Sequence, residues 1–87
     1  MPRRPDPVIR ALKRQLIDVL LRHIEQRFTR FRVPQSHIAD TLGLSQPRLN
    51  ALLKRREALF SLDALIGLCT QFDLEVRMRV VRPYSKG

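Results

Sequence analysis

Residues 46–51 contain side chains whose types and spacing suit the recognition of DNA bases. Gln46 and Asn50 lie four residues apart, which places both amides on one face of a helix, and such amides hydrogen-bond bidentately to adenine. The ring carbons of Pro47 can contact a thymine methyl group. The predicted base-reading residues are Gln46, Pro47, Arg48, Asn50 and Ala51.

A second group of residues has the chemistry to hold DNA phosphates. Residues 54–56 are three consecutive cations that follow the predicted reading segment. Gln35 and Ser36 open a predicted helix, where backbone N–H groups and the helix dipole favour an anion. The predicted phosphate contacts are Gln35, Ser36, Lys54, Arg55 and Arg56.

Three arginines allow two interpretations each. Arg48 could reach a guanine or a phosphate, or it could pair within the chain with Asp40 or stay solvated. Arg3 and Arg4 belong to a flexible basic arm, residues 1–6, which could enter a minor groove or remain disordered. The residue types alone leave these alternatives open.

Residues 35–54 predict the two short helices that would position these side chains. Gly43 suits a left-handed residue at the end of the first of them, and Ala39 is small enough for the two helices to cross closely. Leu49 and Leu52 face inward, which leaves the polar side of the second helix free. This spacing is typical of a helix-turn-helix, in which the second helix enters the major groove of DNA.

Helices are predicted on both sides of this pair. The first begins at Asp6 and Pro7, an acceptor at the cap followed by proline at the first helical position, where its missing N–H costs nothing. Its apolar residues recur at three- and four-residue steps. Ser45 caps the third helix and Ser61 caps the fourth. The predicted ends are Arg27 or Phe28 for the first helix, about Arg56 for the third and about Gln71 for the fourth.

The residues after the fourth helix change their period. From residue 74 to residue 80 apolar and charged residues alternate strictly, which predicts a half-buried strand within residues 74–82. Its partner would be the same strand of a second subunit across a twofold axis, since no other segment looks like a strand. Alternatively, the segment packs on its own helices as an extended arm. The predicted dimerisation residues are Leu74, Val76, Met78 and Val80.

Composition favours a nucleic acid as the partner. Seventeen Lys and Arg against eight Asp and Glu give a formal net charge of +9 and a pI near 11.5, the electrostatic footprint of a nucleic-acid binder. A basic protein that is merely soluble, or one that visits anionic membranes, is the weaker alternative. The chain has 87 residues, of which 44% are hydrophobic, so one small domain with its own core is expected.

The sequence predicts no enzyme, no cofactor and no metal site. His23 and His37 have no Cys or carboxylate partners at metal-ligand spacing, and Cys69 falls on the apolar stripe of the fourth helix. A single Cys excludes an internal disulfide, and no apolar run approaches the roughly 18 residues that span a membrane. No export signal is visible, so a cytoplasmic protein without a membrane partner is expected.

Two segments carry a family resemblance: QSHIADTLGLSQPRLNALLK and FSLDALIGLCTQFDLEVRMRV, within about residues 33–81. They resemble the lambda-repressor-like helix-turn-helix family, the phage repressor and Cro (XRE) type, and its small branch of HigA-like antitoxins and regulators. The resemblance implies an all-α domain of four to five helices with one C-terminal β-strand paired across a dimer, and a phosphate contact for Gln35. Family members commonly open the second helix with Thr-Gln, where this chain has Pro34. They often carry a glycine after the recognition helix, and residues 55–59 contain none.

The predicted function is sequence-specific binding of double-stranded DNA by a homodimer that acts as a small transcriptional repressor. The domain would span residues 7–82, between the arm at 1–6 and a tail at 83–87 in which Tyr84 has no assigned role. One alternative is an antitoxin whose main work is to bind a small toxin protein. The charge of +9 argues against that role, because many such toxins are themselves basic. A third alternative is non-specific coating of DNA or RNA.

Overall fold

Four α-helices and two short 3-10 helices make up the computed structural model, which describes residues 6–82. The elements in chain order are α1 (Pro7–Arg27), α2 (Gln35–Leu42), α3 (Gln46–Leu53) and α4 (Leu62–Gln71), with 3-10 helices at Thr29–Phe31 and Glu57–Leu59. Except for Asp6, the predicted arm with Arg3 and Arg4 lies outside the described residues, and so does the predicted tail with Tyr84.

Helix α1 begins and ends where the sequence predicts. The Asp6 carboxylate accepts a hydrogen bond from the Val8 N–H at 2.8 Å, and Pro7 occupies the first turn. The apolar stripe is buried only in its C-terminal half, at Ile17, Leu20 and Ile24. Toward its N-terminal end the stripe is more exposed, with Val8 and Ile9 exposed by 65% and 40%.

The turn between α2 and α3 depends on Gly43. This glycine has a φ of +69°, in the left-handed region, and its N–H donates to the Asp40 carbonyl at 3.2 Å. The Leu44 N–H then donates to the Ala39 carbonyl at 2.8 Å, so the chain reverses within a closed hydrogen-bonded cap. Ala39 is 1% exposed at the point where the helices meet. The predicted turn is confirmed.

Helix α3 starts at its predicted cap but ends earlier than predicted. Ser45 Oγ accepts the Arg48 N–H at 3.2 Å, which confirms the start. The helix ends at Leu53 and not near Arg56, so the predicted end is wrong. The reason is another left-handed residue, Arg55 with a φ of +59°, which turns the chain toward α1 and into the 3-10 helix Glu57–Leu59.

The core lies where α1 and α4 cross, with α3 held against α1. All four α-helices contribute, and Phe28, Phe60 and Phe72 close its edges. Helix α4 begins at the Ser61 cap, whose Oγ accepts the Ala64 N–H at 3.0 Å, as predicted. Its most buried residues are Leu65, Leu68 and Cys69.

Residues 74–82 have no regular secondary structure in the single chain. The Leu74 N–H donates to the Cys69 carbonyl at 3.0 Å, and the Leu74 side chain packs against the core. Beyond it, Val76, Met78 and Val80 are exposed by 36%, 66% and 90%. The predicted strand needs a second subunit to form its ladder, so it stays a prediction.

None of the helices between residues 6 and 82 is both long enough and apolar enough to cross a bilayer.

Gly43 and Gly67 offer a matched test of the turn. An added Cβ would meet nothing within 4 Å at either position, but only Gly43 has a positive φ. Gly43→Ala should lower the free energy of unfolding by about 1 kcal/mol through backbone strain. Gly67→Ala, inside α4, should raise it by about 0.5–1 kcal/mol through helix propensity. Urea unfolding of both variants measures the two signs, and equal effects would contradict the left-handed turn.

Candidate nucleic-acid interface

The exposed side of α3 presents three of the predicted base-reading residues together. Gln46, Pro47 and Asn50 are exposed, while Leu49 and Leu52 on the opposite side are fully buried. Within residues 6–82 neither amide side chain forms a hydrogen bond in the chain, so both keep their donors and acceptors free. The helix therefore offers an unoccupied polar face on a rigid support.

Ala51 is the least exposed of the predicted base-reading residues. Its side chain is 8% exposed and lies in the core cluster. It also lines a hollow along α3 together with Pro47 and Asn50, and the short chain segment after α3 folds back beside it. The Arg56 N–H donates to the Ala51 carbonyl at 3.0 Å in this turn.

Arg48 is held within the chain, although its partner differs from the predicted one. Its guanidinium donates to the Leu59 carbonyl at 2.8 Å and lies 4.3 Å from the centre of the Phe60 ring. The contact combines a charge-assisted hydrogen bond with a cation–π interaction. Asp40 takes no part in it. Arg48 thus ties the first half of α3 to the second 3-10 helix and to Phe60.

The start of α2 has the features expected of a phosphate contact. Gln35 and Ser36 are exposed in its first turn, where backbone N–H groups have no acceptor within the helix. Pro34 at the cap supplies no side-chain acceptor to these groups. The first two N–H groups of α2 are therefore available to an anion.

The three predicted phosphate-binding cations after α3 differ in their surroundings. Lys54 and Arg56 are exposed and form no ion pair among residues 6–82. Arg55 forms an ion pair with Asp18 of α1. Lys54 and Arg56 therefore carry the free positive charge at the end of α3, whereas Arg55 is turned toward α1.

Glu57 joins this region to α1, and the sequence analysis did not single it out. Its Oε1 accepts hydrogen bonds from Arg14 Nε at 3.2 Å and from an Arg10 guanidinium nitrogen at 3.4 Å. A hydrogen bond from its own backbone N–H, together with those from Arg14 and Arg10, lowers the pKa of Glu57 against the opposing effect of partial burial. The partners are 43 and 47 residues away, so no local pattern could reveal them.

Two further features of the described residues concern metal binding and the reactivity of the single cysteine. Between residues 6 and 82, no three His, Cys, Asp or Glu side chains gather as metal ligands would. Cys69 is buried, and burial raises the pKa of its thiol, which keeps the sulfur protonated. Its position fits a core residue and not a nucleophile.

Comparison with known families agrees with this geometry. A family model described as a helix-turn-helix domain matches residues 7–81. The chain belongs to this helix-turn-helix family. No curated protein and no solved structure matches it. Membership supports DNA binding by this domain, with α2 and α3 as the helix-turn-helix pair.

The contacts of Glu57 predict a pH dependence of stability. A carboxyl group with a lowered pKa in the folded state contributes stability above its ordinary pKa of 4.5, and that contribution is lost as the pH falls through the lowered value. The free energy of unfolding should therefore decrease as the pH falls below 4.5. Glu57→Gln should flatten this part of the profile, as followed by urea unfolding at several pH values.

The matched control for this experiment is Glu25→Gln. Glu25 is exposed on α1 and has no ion-pair partner among the described residues. It should leave the profile close to that of the wild type. Equal profiles for Glu57→Gln and the wild type would show that the Arg10 and Arg14 contacts do not stabilise the fold.

Proposed function

We propose that the domain binds a specific double-stranded DNA site as a homodimer and acts as a transcriptional repressor. The observation that carries the proposal is the polar face of α3, where Gln46 and Asn50 are exposed and unpaired among residues 6–82 on a helix whose other side is buried. Membership in the helix-turn-helix family supports the DNA-binding part. Repression would follow because a bound dimer blocks access to a promoter.

In this proposal α3 enters the major groove. Gln46 and Asn50 hydrogen-bond to base edges, and the Pro47 ring contacts a neighbouring apolar atom such as a thymine methyl. Leu49 and Leu52, which are fully buried, fix the depth and angle of the helix. Arg48 supports the helix through its contacts with Leu59 and Phe60, so base reading falls to Gln46, Pro47 and Asn50.

Phosphate contacts on either side would set the register of α3. The exposed N–H groups of Gln35 and Ser36 hold one backbone at the start of α2. Lys54 and Arg56 hold the backbone at the other end of α3, where neither is paired within residues 6–82. These contacts contribute affinity without sequence preference, and the α3 side chains contribute the preference.

The proposed dimer forms through residues 74–82. Val76, Met78 and Val80 expose apolar side chains that a second copy of the segment would cover in an antiparallel pair. Leu74 anchors the segment to the core at its beginning. A twofold axis between two such domains requires an inverted repeat with half-sites about one helical turn, roughly 10 bp, apart.

The closer placement among phage-repressor-like and HigA-like regulators is part of the proposal. It rests on the resemblance of residues 33–81, and the repressor role rests on it as well. An antitoxin role is the second candidate from that resemblance, and the net charge of +9 disfavours a basic toxin as the main partner. Co-purification of a small partner protein would support the antitoxin role.

Selection of bound duplexes from a random pool tests sequence recognition. At about 150 mM salt, where non-specific phosphate binding is weak, the wild type should enrich an inverted repeat with one-turn spacing. The double variant Gln46→Ala with Asn50→Ala should lose the preference while it keeps general affinity. The expected loss is about 1–3 kcal/mol for each bidentate contact.

A control and two contrary outcomes complete this test. Gln26→Ala removes an exposed amide from α1, away from α3, and should select the same site as the wild type. Selection of that same site by the double variant would move the reading face away from α3. No enrichment by the wild type would reject sequence-specific recognition and favour coating of nucleic acid.

Val80 and Val81 provide a matched test of the proposed dimer. Both are exposed, by 90% and 63%, but they alternate across a strand, and only Val80 lies on the face proposed to meet the second subunit. Val80→Asp should shift the protein from dimer to monomer, and Val81→Asp should not. Sedimentation equilibrium measures both masses. A monomeric wild type, or a Val80→Asp variant that remains dimeric, would reject this interface.

A further inference from the structure

An open cleft of about 790 Å³ lies between the N-terminal half of α1 and the chain segment that follows α3. The lining residues are Arg10, Lys13, Arg55, Arg56, Glu57, Ala58 and Leu59. Neither the motif of α2 and α3 nor the proposed reading face accounts for it. We refer to it as the α1 cleft.

The α1 cleft is strongly cationic. Four of its lining side chains carry a positive charge and one, Glu57, carries a negative charge. Lys13 forms no ion pair within residues 6–82. Arg10 gives one hydrogen bond to Glu57, yet its side chain remains 48% exposed. Because a guanidinium has five N–H donors, Arg10 retains donors for a second acceptor that enters from solvent.

The ion pairs around the α1 cleft fix its shape while leaving its net charge positive. Glu57 holds Arg10 and Arg14 on one carboxylate oxygen, and Asp18 holds Arg55 from the neighbouring turn of α1. Side chains held in this way lose less conformational entropy when they bind a ligand than free side chains do. The cleft is therefore a preformed surface for an extended anion.

The α1 cleft continues into the exposed side of α3. A smaller hollow along α3 is lined by Pro47, Asn50, Ala51 and Lys54, and it shares Arg56 and Leu59 with the cleft. The two depressions are therefore neighbours that meet at Arg56 and Leu59. An extended anion that lies along the proposed reading face can therefore also contact the α1 cleft.

We infer that the α1 cleft binds phosphates of the DNA backbone that flanks the major groove read by α3. The inference rests on the proposed function and extends it, because it makes α1 part of the DNA interface. Arg10 and Lys13 are the residues that contact the phosphates, and Arg56 connects them to the contacts at the end of α3. Backbone binding of this kind adds affinity for every duplex and does not change sequence preference.

The salt dependence of binding tests the inference. Each lost phosphate contact reduces the slope of log K against log salt concentration by about 0.9 for B-DNA. Lys13→Ala should reduce the slope by about that amount, and Lys13→Ala with Arg10→Ala should reduce it by about twice as much. The affinity for a selected site and for an unrelated duplex should fall by the same factor. Fluorescence anisotropy with labelled duplexes measures both quantities.

Arg22→Ala is the matched control. It removes one positive charge from α1, and Arg22 lies nine residues after Lys13, which places it on the opposite side of the helix. Its slope should equal that of the wild type. A reduction equal to that of Lys13→Ala would show an effect of total charge and would overturn the inference. Circular dichroism on each variant confirms that the helices are retained.

The outcomes separate this inference from the proposed function. If the wild type selects a site and Lys13→Ala keeps the wild-type slope, the α1 cleft does not contact DNA and an acidic protein segment becomes its candidate ligand. If the wild type selects no site, sequence-specific function fails. The slopes on an unrelated duplex still decide whether the cleft binds phosphate, because that contact needs no particular sequence.

Discussion

The structure depends on how a short helix is held in place. Helix α3 has eight residues, and isolated helices shorter than about 12–15 residues are only marginally stable in water. Its stability therefore comes from Leu49 and Leu52, which are fully buried in the shared core, and from the contact of Arg48 with Leu59 and Phe60. Because both sets of contacts lie on one side, the other side is free to meet a ligand without loss of support.

The basic side chains fall into two groups, those that pair within the chain and those that are available to a ligand. Arg48, Arg14 and Arg55 have partners within the chain, which order α3 and the turn that follows it. Lys54 and Arg56 have no ion-pair partner in the described part of the chain. Net charge alone therefore overstates the number of side chains available to DNA. It remains a sound guide to the class of ligand, because long-range attraction depends on the sum of charges and not on their pairing.

Local signals were enough to predict most of the helices, and distant contacts account for the remaining differences. Asp6, Ser45 and Ser61 act on N–H groups two or three residues away, and Gly43 acts within its own turn, so each feature is visible in the sequence. The partner of Arg48 lies 11 residues away and those of Glu57 more than 40, beyond any local pattern. The polar face of α3 could be predicted from periodicity, whereas the end of the helix at Leu53 depends on the turn at Arg55.

Arg55 shows how the fold and the cationic surface are connected. A non-glycine residue with a φ of +59° is strained by about 1–2 kcal/mol relative to an ordinary conformation. Its ion pair with Asp18 is exposed, by 59% and 50%, and such pairs contribute about 0–1 kcal/mol. Stability alone therefore favours glycine at this position. Arginine instead adds a positive charge to the α1 cleft at the place where the chain must reverse, so the turn that ends α3 also builds one wall of the cleft.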